Sequence, residues 1–408
     1  MKILIYCLNY YPEIVGAGKY TTEMSEWLSS NGYKVRVITS NPYYPEWKLK
    51  SKNKYKKEII NGVEIFRSPL WVPNNPSGIK RIFHLLTFSI SSLPLILRHI
   101  FWRPSVIITI APTIFCIPGS LFLGLICGSK TKNLLHIQDF EIDAAFQLGF
   151  LKGKKIKKII LFFEKRLLSK FNKITTISKA MLIHLKSKNI EDKKILFFPN
   201  WIDTEFIKSN SKYLNSYRRD LEINYDETVL HYSGTLSSKQ GIEIIIDSIK
   251  ILKDNKKIIW VIGGEGPLKN ELIEKTKIYP NVHIMPLQPI NRFSDWLTLA
   301  DIHLLPQKKA AADLLLPSKL LGMMASGKPI VCISPKKSEL GKIVSIAGIQ
   351  VEDEKASEFS NAILNLINNK EMSIKKGKNG RKLVKEIYDK KKVLTNFESD
   401  LKDLVLEE

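Results

Sequence analysis

Short runs of apolar and β-branched residues alternate along this chain with longer segments in which apolar residues recur at helical spacing. This alternation is typical of parallel strands joined by crossover helices, so the sequence predicts the α/β class. In the first half, strands are predicted at residues 2–8, 34–39, 63–68, 106–110, 133–137 and 173–177. In the second half, they are predicted at residues 229–233, 258–263, 282–285, 302–305 and 329–333.

The two groups of strands predict two domains. A chain of 408 residues is long for a single hydrophobic core, and each group suffices for one doubly wound sheet. The boundary is expected near residues 203–212, where an apolar strand passes into polar chain. We therefore expect domains at residues 1–205 and 206–388, with a final helix, 389–405, that crosses back to the first domain.

Residues 104–129 contain no charged side chain, a length that could cross a bilayer. The segment begins as a β-rich run that ends at Pro112, and its second apolar part is interrupted by Pro118 and Gly119. We interpret it as a buried strand followed by a buried helix rather than as a membrane span. The apolar run at the N-terminus lacks a small-residue cleavage site and predicts a first strand rather than a signal peptide.

Four cysteines are scattered along the chain, without a CxxC pair or a histidine at metal-ligand spacing. Cys7, Cys116 and Cys332 lie in apolar runs, which predicts buried free thiols in a reducing compartment. We expect no metal site.

The net charge of +23 is concentrated in one half of the chain. Residues 1–200 carry 31 Lys and Arg against 12 Asp and Glu, whereas the remainder carries 32 against 28. Such an asymmetry predicts an anionic partner for the first half, either nucleic acid or a membrane surface. Residues 80–103 and 152–173 combine apolar stripes with basic flanks, which is typical of helices that lie in a lipid headgroup layer.

The alternative for these two segments is a helix that is buried on one side and solvated by its lysines on the other. Both segments and the charge asymmetry together favour an anionic membrane surface. Nucleic acid is disfavoured as a partner, because the basic runs interleave with aliphatic stripes rather than with exposed aromatic platforms.

The clearest candidate chemistry lies in residues 313–331. A proline turn leads into a short helix that begins with Ser318 and Lys319, and a strand follows Gly327. A helix N-terminus beside a lysine suits a phosphate ester. Glycine turns after predicted strands, at residues 16–18 and 263–267, would let the backbone approach such a group, although each is a weak signal alone.

These motifs are more informative together than alone, because they occur in a specific order along the chain. The order runs TTISKAMLIHL, FFPNWID, YSGTLSSKQGIEIIIDSI, VIGGEGP and PSKLLGMMASGKPIV, after the N-terminal YYPEIVGAGKYTTEMSEWLSSNGYKVRVIT. Taken together, they resemble the retaining GT-B glycosyltransferases of family 4, of the bacterial capsule and colanic-acid type. The resemblance implies two Rossmann-like doubly wound domains that face each other across a cleft, with the acceptor bound by the first domain and a UDP- or GDP-sugar by the second. It also implies transfer with retention, without a metal or a cofactor.

The resemblance assigns candidate roles to individual residues. Ser318, Lys319 and the helix that they begin would stabilise the negative charge of the departing diphosphate. Lys239 is a second candidate for this role. The alternative for either lysine is a solvated loop lysine. The candidate donor-binding residues are Gly16, Gly18, Gly234, Lys239, Gly264, Glu265, Asp313, Ser318 and Lys319.

The sequence also departs from the family pattern. The EX7E carboxylates would fall at Leu314 and Gly322, and Asp313 is the candidate replacement for the first. Thr235 and Gln240 stand where an arginine and a lysine are usual in the family.

On the acceptor side, HIQDFEID follows a predicted strand, where α/β sheets place their ligands. Asp139 resembles the position that faces the sugar in the family, and is the first candidate for removing the acceptor proton or binding the donor sugar. Asp143 is the second catalytic candidate. Helix capping is the alternative for Asp139. Histidines on strand patterns are expected in the core, namely His136, His231, His283 and His303.

The leading hypothesis is a peripheral membrane glycosyltransferase on the cytoplasmic face of the cell membrane. It would transfer a sugar to a lipid-linked oligosaccharide acceptor in capsular or extracellular polysaccharide synthesis. The alternatives are a nucleotide-sugar 2-epimerase of the same fold and a catalytically inactive scaffold paralogue. Oligomeric state leaves no signature in the sequence.

Overall fold

The computed structural model describes residues 1–13, 16–112, 114–140, 142–143, 146, 154–208, 215–308 and 316–407. The chain divides into two compact units. The first comprises Met1–Asn200 together with Leu394–Glu408, and the second comprises Trp201–Val393.

The first unit is built on an eight-stranded sheet. In chain order its strands are β1 Lys2–Tyr6, β2 Lys34–Ser40, β3 Lys56–Ile60, β4 Val63–Ser68, β5 Val106–Ala111, β6 Lys132–Ile137, β7 Lys173–Thr176 and β8 Ile195–Phe197. The strand order across the sheet is β3-β4-β2-β1-β5-β6-β7-β8, and all pairs are parallel except β3 with β4. Because the order reverses at β1, the sheet is doubly wound.

Helices cover this sheet. They are α1 Gly16–Ser30, α2 Gly78–Ser91, α3 Leu93–Ile100, α4 Ile117–Cys127, α5 Lys154–Leu168 and α6 Lys179–Ser187. Strands β1 and β5 are buried along almost their whole length, as expected for parallel strands that are covered on both faces. The core between the strands and α2 to α4 includes Tyr6, Phe88, Ile96 and Leu123.

The second unit is built on a six-stranded parallel sheet. Its strands are β9 Thr228–Ser233, β10 Ile258–Gly263, β11 Val282–Met285, β12 Ile302–Leu305, β13 Ile330–Ile333 and β14 Gly348–Val351, in the order β11-β10-β9-β12-β13-β14. Its helices are α7 Ser216–Asp220, α8 Ile242–Ile251, α9 Lys269–Thr276, α10 Phe293–Thr298, α11 Lys319–Ala325, α12 Glu339–Ala347, α13 Ala356–Asn368 and α14 Lys370–Ile387. The last helix, α15 Lys390–Leu406, begins in this unit and ends among the residues of the first.

The predicted α/β class with two doubly wound, parallel domains is confirmed. All eleven predicted strands are present, with ends that shift by at most two residues. Three further strands, β3, β8 and β14, were not predicted. They are edge strands, short or polar, and so lack the continuous apolar run that marks a buried strand.

The expectation of a buried helix within residues 104–129 is only half right. Leu123 of α4 lies in the core, but Phe122, Leu125 and Ile126 on the same helix are exposed. Among the described residues, one helical stretch, Gly78–Ile100, is long and apolar enough to cross a bilayer by length and composition. Phe88 and Ile96 of that stretch are fully buried in the core of the first unit.

Candidate functional site

In the second unit, the turns that follow β9 and β10 pack backbone against backbone. Gly234 donates its N–H to the carbonyl of Gly263 at 3.0 Å, and Gly264 donates to Met285 at 3.1 Å. Gly264 has a φ of +148°, and a side chain there would overlap the carbonyl oxygen of Gly234. Gly264 is therefore required for this close contact, and Gly234, with a φ of +153°, also adopts a backbone conformation that favours glycine. The N–H groups of both glycines are already used within the turns.

Lys319 lies directly against this glycine turn. A Cβ added to Gly234 would lie 3.3 Å from the Lys319 Nζ. The same Nζ lies 2.5 Å from the Gln240 Oε1 and 3.3 Å from the Tyr232 hydroxyl, and 4.5 Å from the centre of the Tyr232 ring. The fold thus gathers one ammonium group, one ring, one amide and one glycine turn at the carboxyl end of β9.

Burial lowers the pKa of Lys319 to about 7, although the neighbouring Cys332 opposes the shift. The ammonium has two neutral hydrogen-bonding groups and an aromatic face around it, but these do not compensate for lost solvation. An anionic ligand beside Nζ would restore the charged form. Helix α11 has only seven residues, so the lysine rather than the helix dipole supplies most of the positive potential.

The other predicted donor-binding residues of this unit lie in more exposed positions. Lys239 is exposed within a short 3₁₀ turn, Ser238–Gln240. Glu265 forms an ion pair with Lys269 at 2.7 Å. Ser318 is exposed and helical in conformation, and its side chain makes no capping hydrogen bond. Asp313 and Leu314 lie outside the described residues.

Two of the departures from the family pattern occupy structurally meaningful positions. Gln240 accepts the hydrogen bond from Lys319 described above. Gly322 is buried in α11, and a Cβ there would lie 3.1 Å from the Leu297 Cδ1. A carboxylate at position 322 would therefore require Leu297 to move. Thr235 is exposed, and its carbonyl accepts from the Tyr232 hydroxyl at 2.8 Å.

In the first unit, Asp139 follows the end of β6 and is partly buried. Burial raises the pKa of Asp139, and a backbone hydrogen bond from Phe140 and the charge of Arg81 act in the opposite direction. A carboxylate with a raised pKa is a better proton acceptor at neutral pH than an ordinary aspartate. Asp139 also borders a small cavity that is otherwise largely apolar.

Asp143 belongs to a different arrangement. Its carboxylate accepts from the Lys188 Nζ at 2.8 Å and from the His184 Nε2 at 2.9 Å, and Lys188 also binds Glu164 at 2.6 Å. Burial raises the pKa of Asp143, but these two hydrogen bonds outweigh it and bring the pKa to about 2. Because such a carboxylate is a weak base, Asp139 is the stronger of the two catalytic candidates.

Gly16 and Gly18 begin α1, beside the loop that follows β1. A side chain at position 18 would lie 2.7 Å from the carbonyl oxygen of Glu13. The buried Glu13 carboxylate accepts from the backbone N–H groups of Tyr43 and Tyr44, each at 2.8 Å. Gly18 therefore allows a tight loop that ties the end of β1 to the end of β2.

Two residues near the candidate sites, Tyr232 and Arg81, carry no signal in the sequence that marks them as candidates. Tyr232 precedes Ser233 and Gly234 at the end of an apolar strand, where its ring has no pattern that distinguishes it from a core aromatic residue. Arg81 lies in a segment interpreted as amphipathic, yet its charge acts on Asp139. Tyr232 contacts Lys319, and Arg81 acts electrostatically on Asp139, across long stretches of sequence that no local spacing reveals.

The histidine predictions are confirmed for His136, His231 and His303, which are buried. Burial lowers the pKa of His136 and of His231 to about 3. His283 differs, because it lies on the edge strand β11 and is only partly buried. Cys7, Cys116 and Cys332 are buried free thiols, as predicted. Within the described ranges, no three His, Cys, Asp or Glu side chains are grouped so that they could hold a metal ion.

Comparison with known proteins identifies the family. Residues 15–201 match the family model "Glycosyl transferase 4-like domain", and residues 227–369 match "Glycosyl transferases group 1". The chain is 35% identical over 411 residues to the putative colanic acid biosynthesis glycosyl transferase WcaI of Escherichia coli K12, with 98% of this chain and 100% of that protein covered.

Solved structures agree on the fold. Sucrose-phosphate synthase from Thermosynechococcus elongatus superimposes with a TM-score of 0.72 at 15% identity and 99% coverage of both chains. Anabaena HepE in complex with UDP superimposes with a TM-score of 0.68 at 14% identity, with 99% of this chain and 100% of that chain covered. The chain therefore belongs to the group 1 glycosyltransferases, has a family 4-like first domain and the GT-B fold, and is an enzyme that transfers sugars.

Proposed function

We propose that this enzyme transfers a hexose, with retention of anomeric configuration, from a UDP- or GDP-sugar to a lipid-linked oligosaccharide in extracellular polysaccharide synthesis. The name of the Escherichia coli relative, which refers to colanic acid, supports the pathway class. The UDP bound to the structural neighbour HepE supports a nucleotide donor. No metal or cofactor takes part in the proposed reaction.

The observation that carries the proposal is the environment of Lys319. Its ammonium lies over the Tyr232 ring, next to Gln240 and to the glycine turn at the end of β9. As the bond between the sugar C1 and the diphosphate breaks, negative charge develops on the departing phosphate oxygens. A desolvated ammonium that is already positioned stabilises this charge more strongly than a solvated one.

We assign the acceptor step to Asp139. As the acceptor oxygen bonds to C1, its hydroxyl proton must leave, and the raised pKa of Asp139 suits a proton acceptor. In a retaining reaction, the new bond forms on the face of the sugar from which the diphosphate departs. The positive charge of Arg81 favours the ionised form of Asp139.

We further propose that the enzyme acts at the cytoplasmic surface of the cell membrane as a peripheral protein. The positive charge concentrated in residues 1–200 supports an anionic membrane as the partner of that half. A lipid-linked acceptor requires the enzyme to work at such a surface.

The decisive experiment measures sugar transfer from a panel of UDP- and GDP-sugars to a lipid-linked acceptor, with the anomeric configuration of the product read by NMR. Lys319→Met should lower kcat/KM by about tenfold or more, because the diphosphate charge loses its stabilisation. The matched control is Lys250→Met, which removes an exposed lysine of α8 that is paired with Asp247. Unchanged transfer in Lys319→Met would remove Lys319 from the mechanism.

The same assay separates the alternatives. Conversion of the nucleotide sugar to an epimer without any acceptor would identify an epimerase. Binding of the nucleotide sugar without turnover on any lipid-linked acceptor would identify a scaffold. An inverted product would contradict the retaining mechanism while leaving the glycosyltransferase assignment intact.

A further inference from the structure

Three helices of the first unit, α3, α4 and α5, lie side by side. A Cβ added to Gly119 of α4 would lie 3.9 Å from Ile96 and Leu93 of α3, so these two helices touch. Ile117 of α4 and Leu167 of α5 line the same small cavity, so α4 and α5 are also neighbours. Segments that are up to 54 residues apart in sequence, from the end of α3 at Ile100 to the start of α5 at Lys154, therefore form one continuous layer.

The outward side of this layer is apolar. The buried side chains of the same helices, such as Ile96 and Leu123, pack into the core, which leaves a second apolar side facing solvent. Phe101, immediately after α3, is 91% exposed, and Leu125 of α4 is 79% exposed. The large exposed apolar side chains that define this docking face are Leu97, Phe101, Phe122, Leu125, Phe162 and Phe163.

The docking face has a rim of one charge sign. No Asp or Glu occurs between Glu64 and Asp139, a stretch that includes both α3 and α4. The acid of α5, Glu164, is buried and bound to Lys188. The exposed cations of these helices and of the residues that follow them form what we call the rim, namely Arg98, Arg103, Lys130, Lys158, Lys165 and Arg166.

We infer that this face docks onto an anionic lipid bilayer, with Phe101, Leu125 and Phe162 entering the boundary between headgroups and acyl chains. Exposed apolar side chains accompanied by exposed cations, and by no exposed acid on the same helices, match the chemistry of a bilayer surface, whose headgroups are anionic and whose interior is apolar. The inference rests on the proposed membrane function and specifies where that contact is made. It also gives α4 a role that the sequence had not indicated.

The contact is a surface contact rather than a span. The apolar stretch Gly78–Ile100 breaks into two helices at Ser92, and it contributes Phe88, Leu95 and Ile96 to the core. A helix that is packed against its own sheet on one side offers a bilayer only its other side. Insertion is therefore limited to the side chains of the docking face.

The test uses the full chain and co-sedimentation with vesicles of phosphatidylcholine alone or with 30% phosphatidylglycerol. The triple variant F101S/L125S/F162S should bind the anionic vesicles at least tenfold more weakly than the wild-type protein. The matched control, I251S/I278S/I374S, removes three exposed apolar side chains from the second unit and should bind as the wild type does. Equal loss in both variants, or no loss in either, would overturn the inference.

A second pair of variants tests the rim. Neutralising Lys158, Lys165 and Arg166 to Gln should weaken binding to anionic vesicles at least tenfold and leave binding to neutral vesicles unchanged. Neutralising Lys378, Lys382 and Lys385 of α14 provides the matched control. Sedimentation velocity tests whether the docking face instead binds a second copy of the chain. If the wild-type protein is a dimer and the F101S/L125S/F162S variant is a monomer, the face is a dimer interface and the inference is wrong.

Failure of this inference can be told apart from failure of the proposed function. UDP-induced thermal shift and transfer to a water-soluble acceptor analogue should be the same in the docking-face variants and in the wild type. Vesicle binding that survives in these variants, together with normal transfer, would refute only the location of the contact. Loss of transfer to the soluble analogue in these variants would show that the face serves the active site instead.

Discussion

The two units have the same kind of fold but different surfaces. In the second unit, exposed lysines alternate with carboxylates at helical spacing, as in Lys250 with Asp247, Lys275 with Glu271 and Lys277 with Glu274. In the first unit, the neighbouring helices α3 and α4 carry exposed apolar side chains and the cation Arg98, but no acid. A doubly wound sheet needs covering helices, but it places no demand on their outer sides. The composition of those outer sides can therefore reflect the solvent or the binding partner that each unit contacts.

The candidate site residues of the two units have pKa values that are shifted in opposite directions. Burial raises the pKa of the Asp139 carboxyl in the first unit and lowers the pKa of the Lys319 ammonium in the second. The cause is the same in both cases, because a site with little water favours the neutral form of either group. The two shifts move the pKa of Asp139 upward and the pKa of Lys319 downward, and such perturbed groups are candidates for a functional site.

The largest effect is expected from Lys188→Met, which tests whether the buried charges of the first unit are interdependent. Lys188 binds Asp143 and Glu164, and all three side chains are largely buried. Its removal leaves two carboxylates without their cation, so the free energy of unfolding should fall by about 3–5 kcal/mol. Denaturant unfolding of both proteins at pH 7 measures it, and a loss below about 1 kcal/mol would show that the pair is solvated.

The next effect concerns histidines that both units bury. The pKa values of His136 and His231 in the folded protein, about 3, lie below the unfolded value near 6.5. The stability that each contributes is complete above pH 6.5 and is lost as the pH falls, because the unfolded state then binds more protons. His136→Gln and His231→Gln should each reduce the slope of stability against pH by about 1.4 kcal/mol per pH unit between pH 6 and 4.5.

Denaturation midpoints at pH 7, 6 and 5 give these slopes for the wild type and for both variants. His283→Gln is the control, since this histidine is only partly buried. Slopes that do not differ from the wild type would mean that the two buried histidines become protonated within the folded protein.

A smaller effect isolates the ammonium of Lys319. With a pKa of about 7, its charged fraction falls above neutrality, so kcat/KM for the donor should decrease up to tenfold per pH unit above pH 7. Lys319→Arg, whose guanidinium stays charged, should lose this decrease whatever its absolute rate. A pH profile that retains the same decrease in Lys319→Arg would assign it to another group.

The smallest effect is expected where the second unit pairs its charges at the surface. Lys275→Met breaks the exposed pair with Glu271 and should change the free energy of unfolding by about 0.2–1 kcal/mol. Compared with Lys188→Met in the same denaturation assay, it measures how differently the two units use ion pairs. A loss as large as that of Lys188→Met would contradict the contrast between the units.

The sequence by itself was sufficient for the fold class and for most strands. Parallel strands such as β5 and β10 are covered on both faces, so their apolar runs are continuous and easily recognised. The edge strands β3, β8 and β14 were not predicted, because a strand at the edge of a sheet has fewer neighbours and tolerates polar or short segments. Lys319 could be named as a candidate because its motif is local, with the proline turn, the hydroxyl and the ammonium contiguous in the chain.

Only the tertiary structure brought Tyr232 and Gln240 to Lys319, across about eighty residues, and tied Asp143 to Lys188. It also decided that α4 buries one side and exposes the other, which its uniformly apolar sequence could not indicate. The physical reason is that local periodicity reports how much of a segment is apolar. Which side is covered, and which charge meets which partner, depends on packing between segments that are distant in the chain.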